Sequence, residues 1–263
     1  MIMKKFKIIK YVVISLAAFF AIWWLITVVT GVNPALFPDP AKVWVAFTEL
    51  CTKGLSGSSS GVLLHLHILA SLKRFAIGYA FAILGGVGLG LFLGRHRSAF
   101  LYANPVLQIL RPIAPVAWLP FLVLIVGIGD VPAEIIIFIA GFFPILLSTV
   151  NAAEQVDKVY LKVAENFGIR KSKATFKIVF PAVFPRIMGA LRLALGTCWI
   201  FLVSGEMVGS QSGLGFLIMD CKNAIRADAL LATMLTIGVI GFGLDLVIRT
   251  VERTVSKRYG FGG

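Results

Sequence analysis

The sequence predicts an all-α integral membrane chain of six spanning helices, and three observations carry that prediction. Of its 263 residues 59% are hydrophobic and only 14% charged, with a mean hydropathy of +0.93, whereas soluble domains hold about 45–50% apolar and about 25% charged residues. The apolar residues also collect into stretches long enough to cross a bilayer, which takes about 20 residues at about 1.5 Å each. Finally, basic residues alternate in density from one connecting segment to the next, as membrane topology requires.

Tyr11 to Gly31 carries no charge and is read as the first span, 11–31. Lys4, Lys5, Lys7 and Lys10 precede it as they would precede a signal peptide. The uncharged stretch exceeds the roughly 7–15 residues of a signal-peptide core, and no small-x-small cleavage site closes it. A retained helix is therefore expected. Asn33 to Pro40 is a proline-punctuated exit from the membrane, and Pro40 to Thr52 has the pattern of a short amphipathic helix on the outer interface. Gly54 to Gly61 is a Gly/Ser linker without helical preference.

The second span, 68–94, has Gly78, Ala82, Gly86, Gly90 and Gly94 on one helical face. Small residues at that spacing allow close helix approach in lipid, and packing within the subunit is the expected use, with a dimer contact as the alternative. The third span, 104–129, contains Pro105, Pro112, Pro115 and Pro120. Each proline removes a backbone donor, so a kinked or broken helix beside protein or a watery cavity is expected. The fourth span, 131–150, holds one charge, Glu134, at its start. The fifth, 183–206, holds Arg192, and the sixth, 229–250, holds Asp245. Glu134 suits a helix N-terminus, Arg192 can snorkel toward an interface, and Asp245 with Arg249 makes an i, i+4 pair.

Counting loops alternately puts sixteen basic residues on the side of both termini and four on the other, Lys42, Lys53, Lys222 and Arg226. Both termini are thus expected in the cytoplasm, and the net charge of +13 is a property of topology and lipid headgroups, with no nucleic-acid partner implied. Cys51, Cys198 and Cys221 lack metal-ligand spacing and are read as three unpaired thiols, with a Cys51–Cys221 disulfide on the outer side as the alternative. His65, His67 and His96 complete no metal or catalytic set with them.

The segment 154–181 lies between two spans on the expected cytoplasmic side and is strongly basic. Val156, Tyr160, Val163, Ala164 and Phe167 share a helical face, Gly168 ends that helix, and a second short stretch leads to Phe180-Pro181. A helix–turn–helix with an apolar stripe fits a groove on a partner or a lipid surface, and the pattern alone leaves both open.

Gly168, nine residues, then Ile178-Val179-Phe180-Pro181 resembles the EAA loop of ABC-importer permeases, with Lys162-Val163-Ala164 in the place of Glu-Ala-Ala. Other segments are similar to the nitrate/sulfonate/taurine permeases: Ser71-Leu72-Lys73-Arg74-Phe75 with Gly78, Arg111 to Pro120, Gly127-Ile128-Gly129, Gly189 to Ala194, and Ser212 to Ile218. Together they cover nearly the whole chain in order. The resemblance implies a type I importer permease fold with a cytoplasmic coupling helix. Two permease copies would pair, each docked on a cytoplasmic ABC ATPase, and a periplasmic or lipid-anchored binding protein would deliver the solute.

The same resemblance assigns ATPase coupling to Lys162, Val163, Ala164, Asn166, Phe167, Gly168, Ile169, Ile178 and Pro181. Lys162 departs from the family glutamate, which puts that residue's usual contact in doubt. No Gly-x-x-x-x-Gly-Lys-Ser/Thr loop is present, so no cofactor is expected in this chain, and ATP and Mg would belong to the partner ATPase. Glu206 and the polar, glycine-rich Ser210, Gln211, Ser212 and Gly213 are candidates for lining the translocation path, with a structural role for Glu206 as the alternative. The solute is expected to be small and anionic, like a sulfonate, taurine or nitrate, and the chain is expected to lie in a bacterial inner membrane. A secondary transporter or channel working without ATP is the competing function, and would call for more intramembrane charges and inverted repeats.

Overall fold

A computed structural model of the chain describes residues 2–29, 33, 35–57, 61–156 and 179–258, and among these every regular element is helical. In order they are α1 (Ile2–Val29), α2 (Pro40–Thr52), α3 (Leu64–Arg95), α4 (Arg97–Leu110), a 3-10 turn (Pro115–Trp118), α5 (Leu119–Val126), α6 (Asp130–Glu154), α7 (Phe180–Gly209), α8 (Leu214–Asn223) and α9 (Ala227–Arg258). Four helices are long and apolar enough to cross a membrane: α3, α6, α7 and the Ala227–Val255 part of α9. The apolar Val13–Val29 of α1 is a shorter helix.

The span expected at 104–129 is not one helix. It is a pair, α4 and the 3-10 turn with α5, bent by 81°. Pro112 and Pro115 supply no backbone donors to continue α4. Ala114, the residue before Pro115, is extended at φ −58°, ψ 133°, as the proline ring requires of its predecessor. The break that the prolines predicted is present, between Leu110 and Pro115.

The chain divides into two compact units, Met1–His67 with Leu217–Ile237, and Ile68–Phe216 with Gly238–Gly263. In the first, α2 spans the expected residues. Asp39 caps it by accepting from the Lys42 amide at 2.8 Å, and Pro40 occupies its first turn, where a missing N–H is harmless. Val43, Ala46 and Leu50 form its buried face. Arg226 clamps α2 to the turn before α9, donating to Glu49 Oε2 at 2.8 Å and to Asp228 at 2.9 Å. The hydrogen bond from Arg226, helped by Ser56, holds the Glu49 carboxyl down at about 2. Cys221 is buried nearby in sequence, and burial pushes its thiol up to about 11. None of the three cysteines is in a disulfide, and Cys51 is the exposed one.

In the second unit, α3 and α6 meet along the small-residue face. A Cβ at Gly78, Gly86, Gly90 or Gly94 would fall 2.6–2.9 Å from α6 atoms, or 2.7 Å from Ala153 Cβ at the last position. Only glycine permits that approach, so the stripe packs helices within the subunit. Gly141 does the same on α6, where a Cβ would lie 2.8 Å from Cys198 Sγ on α7 and 2.9 Å from Ala82 Cβ on α3. Ile145, Ala152, Val183, Ile187 and Met188 fill the core between these helices, while Leu84, Leu193, Ile200 and Phe242 face outward, a surface suited to hydrocarbon. Arg192 does not snorkel: its Nε donates to Asp245 at 2.8 Å, and Arg249 completes the expected i, i+4 pair at 2.8 Å. An ion pair satisfies Asp245 from two sides, which the interface would not.

Candidate functional site

The most elaborate polar constellation of the second unit lies where α6 begins and α7 ends. Arg74 projects from α3 and is 2% exposed. A guanidinium has five N–H donors, and all five are taken. Nε donates to Asp130 Oδ1 at 2.8 Å, and Nη2 meets the same oxygen at 2.6 Å. Nη1 donates to Glu206 Oε1 and to the Ser212 carbonyl, both at 2.7 Å, and Nη2 reaches Ser212 Oγ at 2.6 Å.

Glu206 is equally occupied and wholly buried. Besides Arg74 it accepts from Ser71, whose Oγ lies 2.9 and 2.8 Å from its two oxygens, and from the Gly215 amide at 3.0 Å. Ser71 Oγ in turn accepts from the Leu214 amide at 2.8 Å. Lys73 adds a second cation 3.6 Å from Asp130, so two cations balance two carboxylates. Four segments are tied together: α3, the start of α6, the end of α7, and the 210–215 turn.

Glycine makes the turn possible. Gly213 adopts φ +107°, and a Cβ there would lie 2.3 Å from Glu206 Oε1 and 2.6 Å from Arg74 Nη1. A Cβ at Gly215 would come within 2.2 Å of the Val203 carbonyl. The turn is pressed onto the ion pair with no room for a side chain. Gly129 fastens its other end, its amide donating to the Gly209 carbonyl at 2.8 Å, and Ser210 Oγ donates back to the Gly129 carbonyl at 3.2 Å.

The candidates read from the sequence therefore separate. Glu206, Ser212 and Gly213 come together, with Ser210 close by, and Gln211 is exposed beside them. Glu206 faces the interior of the constellation, with its charge compensated there. Pro181 sits in the first turn of α7, where proline is tolerated. Lys162, Val163, Ala164, Asn166, Phe167, Gly168, Ile169 and Ile178 lie outside the described residues. The two ends of that segment are close: Val156 and Phe180 pack on the core that includes Val179, and Arg186 hydrogen-bonds Gln155.

Two residues, quoted from the sequence only as parts of a resemblance, were given no role there. Arg74 carries the constellation, and its signal was charge complementarity between an arginine inside the 68–94 span and the lone acid that closes the fifth. Arg111 is the other. It stands at the break after α4 and lines a cleft of about 720 Å³ between α4 and α6.

The comparisons with known proteins agree with this architecture. Residues 86–259 match the family described as binding-protein-dependent transport system inner membrane component. The taurine transport system permease protein TauC of Escherichia coli is 28% identical, over 94% of this chain and 88% of its own. The nitrate import permease protein NrtB of Synechocystis is 31% identical over 92% and 87%. The putative aliphatic sulfonates transport permease protein SsuC of Bacillus subtilis is 31% identical over 92% and 84%. Among solved structures, an inward-facing conformation of the MetNI methionine ABC transporter aligns with a TM-score of 0.57 at 21% identity, covering 72% of this chain and 95% of that one, which fixes the fold. With a family match across two thirds of its length, relatives aligned almost end to end and the same helical fold, this multi-pass membrane chain belongs to the binding-protein-dependent transport system inner membrane components.

Proposed function

We propose that the chain is the membrane-spanning permease of an ATP-driven importer for a small solute bearing an oxyanion group. Two copies form the translocation unit, two ABC ATPase subunits drive it from the cytoplasm, and a separate binding protein delivers the solute. The observation that carries the reading is the family match across 86–259, which includes the whole EAA-like segment. Taurine, nitrate and aliphatic sulfonates, the solutes of the similar permeases, share an oxyanion. No Walker-type loop occurs in the sequence, so hydrolysis and its Mg belong to the partner, and this chain works as a transporter subunit with no catalytic residues of its own.

Energy enters through the segment between α6 and α7. The ATPase grips the Lys162–Ile169 region, and the turn expected from the sequence at Gly168 does not depend on the charge at 162. Because α6 and α7 pack along most of their length, a push on their connected ends moves them as a body. Arg74 and its partners hold the opposite end of that body together, so closure is transmitted as a rigid rocking motion between two states. Both termini and the coupling segment face the cytoplasm, and Ser210 to Gly213 face the outside, in keeping with the excess of basic residues on the first side.

The test is purification of the tagged permease from gently solubilised membranes, with mass spectrometry of what accompanies it. Recovery of a Walker-motif ATPase, lost on Gly168→Pro, supports the importer and the docking segment together. Recovery of the permease alone, under conditions that keep other membrane complexes whole, would overturn the reading in favour of a self-sufficient transporter.

A further inference from the structure

The cleft between α4 and α6 differs from the Arg74 constellation in one chemical respect: its cation is free. Asn104, Gln108 and Arg111 follow one another at intervals of four and three residues, which puts them on one face of α4 and its extension. Ser148 and Asn151, three apart on α6, line the other wall. Among the described residues the Arg111 guanidinium has no hydrogen-bond or ion-pair partner, and no carboxylate lines the cleft. The acids of this unit that pair with arginines are committed elsewhere: Asp130 and Glu206 to Arg74, Asp245 to Arg192 and Arg249, and Glu154 to Arg97.

Position adds to the case. Fourteen residues of α4 rise about 21 Å, so Arg111 stands about 20 Å along the helix from the Arg97–Glu154 pair. Asn151 lies within one turn of that pair. The polar wall thus runs from the Arg97–Glu154 end of the helices along the cleft and finishes on an exposed cation. A cation within a spanning segment ordinarily faces water, a counter-charge or a functional cavity, and Arg111 is exposed at the cleft with no counter-charge. Amide and hydroxyl groups with one uncompensated guanidinium make a lining that admits an oxyanion and repels a cation.

We propose that this cleft is an oxyanion-selective segment of the translocation path, with Arg111 as its cation and Asn104, Gln108, Ser148 and Asn151 as its neutral hydrogen-bonding wall. The proposal rests on the importer reading for the identity of the traffic, and on the lining alone for its selectivity. It relocates the path from Glu206 and the 210–213 turn, whose donors and acceptors are already satisfied by one another, to α4 and α6. The phosphate of an anionic lipid headgroup offers the same chemistry to Arg111, and the test separates it from a solute.

The experiment reads the local potential without any transported solute. Full-length permease carrying Cys51→Ser and Ser148→Cys is reconstituted in phosphatidylcholine vesicles. Its labelling rate is measured with an anionic and a cationic methanethiosulfonate, the sulfonatoethyl and trimethylammonioethyl reagents. Relative to a free thiol in solution, the anionic reagent gains at least about tenfold over the cationic one, because one uncompensated unit charge in the same cleft attracts the first and repels the second. Arg111→Gln removes the gain, Arg111→Lys keeps it, and sodium nitrate slows the anionic reagent where choline chloride does not. Asn151→Cys in place of Ser148→Cys repeats the measurement if the first variant misfolds.

A ratio equal to that of the free thiol, or one indifferent to Arg111→Gln, overturns the proposal. So does a gain that disappears when phosphatidylglycerol is added to the vesicles, because Arg111 would then belong to the headgroups. No ATPase or binding protein takes part. A charge preference without a recovered ATPase would sink the importer reading alone, and a recovered ATPase without the preference would sink the cleft alone.

Discussion

The Arg74–Glu206 pair is the place where one substitution should be worse than two. Arg74→Met strands Glu206, which is fully buried, with only Ser71 and the Gly215 amide to solvate it. Glu206→Met strands a guanidinium that is 2% exposed and leaves it Asp130 alone for charge. Removing one member of a buried pair costs about 3–5 kcal/mol. The double variant leaves no buried charge: Asp130 is 44% exposed on its side chain and keeps Lys73. What remains is the Gly215 amide and the Ser71 hydroxyl without their acceptor, about 1–3 kcal/mol each at most, and the Ser212 carbonyl and hydroxyl without their donor, at a partly exposed residue where water can replace it. Since Ser71 can rotate, the double variant should lose about 2–4 kcal/mol where the singles sum to about 6–10 kcal/mol.

The measurement is equilibrium unfolding in mixed micelles at increasing SDS fraction, followed by tryptophan fluorescence. Trp199 packs edge-on against Phe75, next to Arg74, at 5.5 Å between ring centroids, so it reports on this region. A coupling of at least ~2 kcal/mol between the two substitutions is expected. Additivity to within ~0.5 kcal/mol would refute the reasoning, because the two charges would then be solvated independently, by water reaching that end of the bundle.

Three further outcomes follow from the geometry. Gly86→Ala pushes a Cβ to 2.8 Å from Ile145 Cγ2, whereas Gly88→Ala meets nothing within 4 Å. The first should lower stability by about 1–3 kcal/mol as overpacking and the second leave it unchanged or higher, by the same SDS titration; equal effects would mean that α3 and α6 do not touch there. Glu49 has its carboxyl held at about 2 by Arg226, below the ordinary carboxylate value near ~4.3. Its contribution to stability is therefore complete above the unfolded value and is lost as pH falls from about 4.5 toward 2. Melting temperatures between pH 6 and pH 3 should drop less in Glu49→Gln than in the parent, and parallel curves would contradict the clamp. Cys51 is exposed, Cys198 is buried, and Cys221 is both buried and raised to about 11. Iodoacetamide at pH 8 should thus modify one thiol in the folded protein and all three in SDS, counted by intact mass.

How far the sequence was legible depended on the range of the interaction that decides each feature. The amphipathic α2, with its Asp39-Pro40 start, is settled within a dozen residues and appears where expected. So does the spacing of the glycines on α3, because a four-residue stripe in lipid has few other uses. The proline cluster after α4 announced a broken helix, but not its angle, since the direction taken at Ala114 depends on what α5 and α6 offer beyond it. Glu206 was visible as a lone acid, and Ser210 to Gly213 as a flexible polar run. Their relation was not visible, because the residue joining them stands 132 positions away from Glu206 in sequence. A Gly-rich polar turn reads as an open, solvated loop until Gly213 is seen at φ +107°, folding it back over Arg74.

Three arginines in the described spans and their connections show how the same side chain is put to opposite uses. Arg74 spends its five donors on four acceptor atoms, and Arg192 shares Asp245 with Arg249. The charge of Arg74 is cancelled where it stands, since Arg74 and Lys73 face Asp130 and Glu206, whereas Arg192 and Arg249 share a single carboxylate and are held by it. Arg111 has no carboxylate in its cleft, and its field is not cancelled locally. A mobile oxyanion could bind at the first two only by displacing a carboxylate already held there, at a cost of several kcal/mol. At the third it need only exchange water for one guanidinium and several amides, an interaction weak enough to be left again. Cancelled charge suits the parts of the bundle that must move as one body, and uncancelled charge suits the surface along which a solute travels.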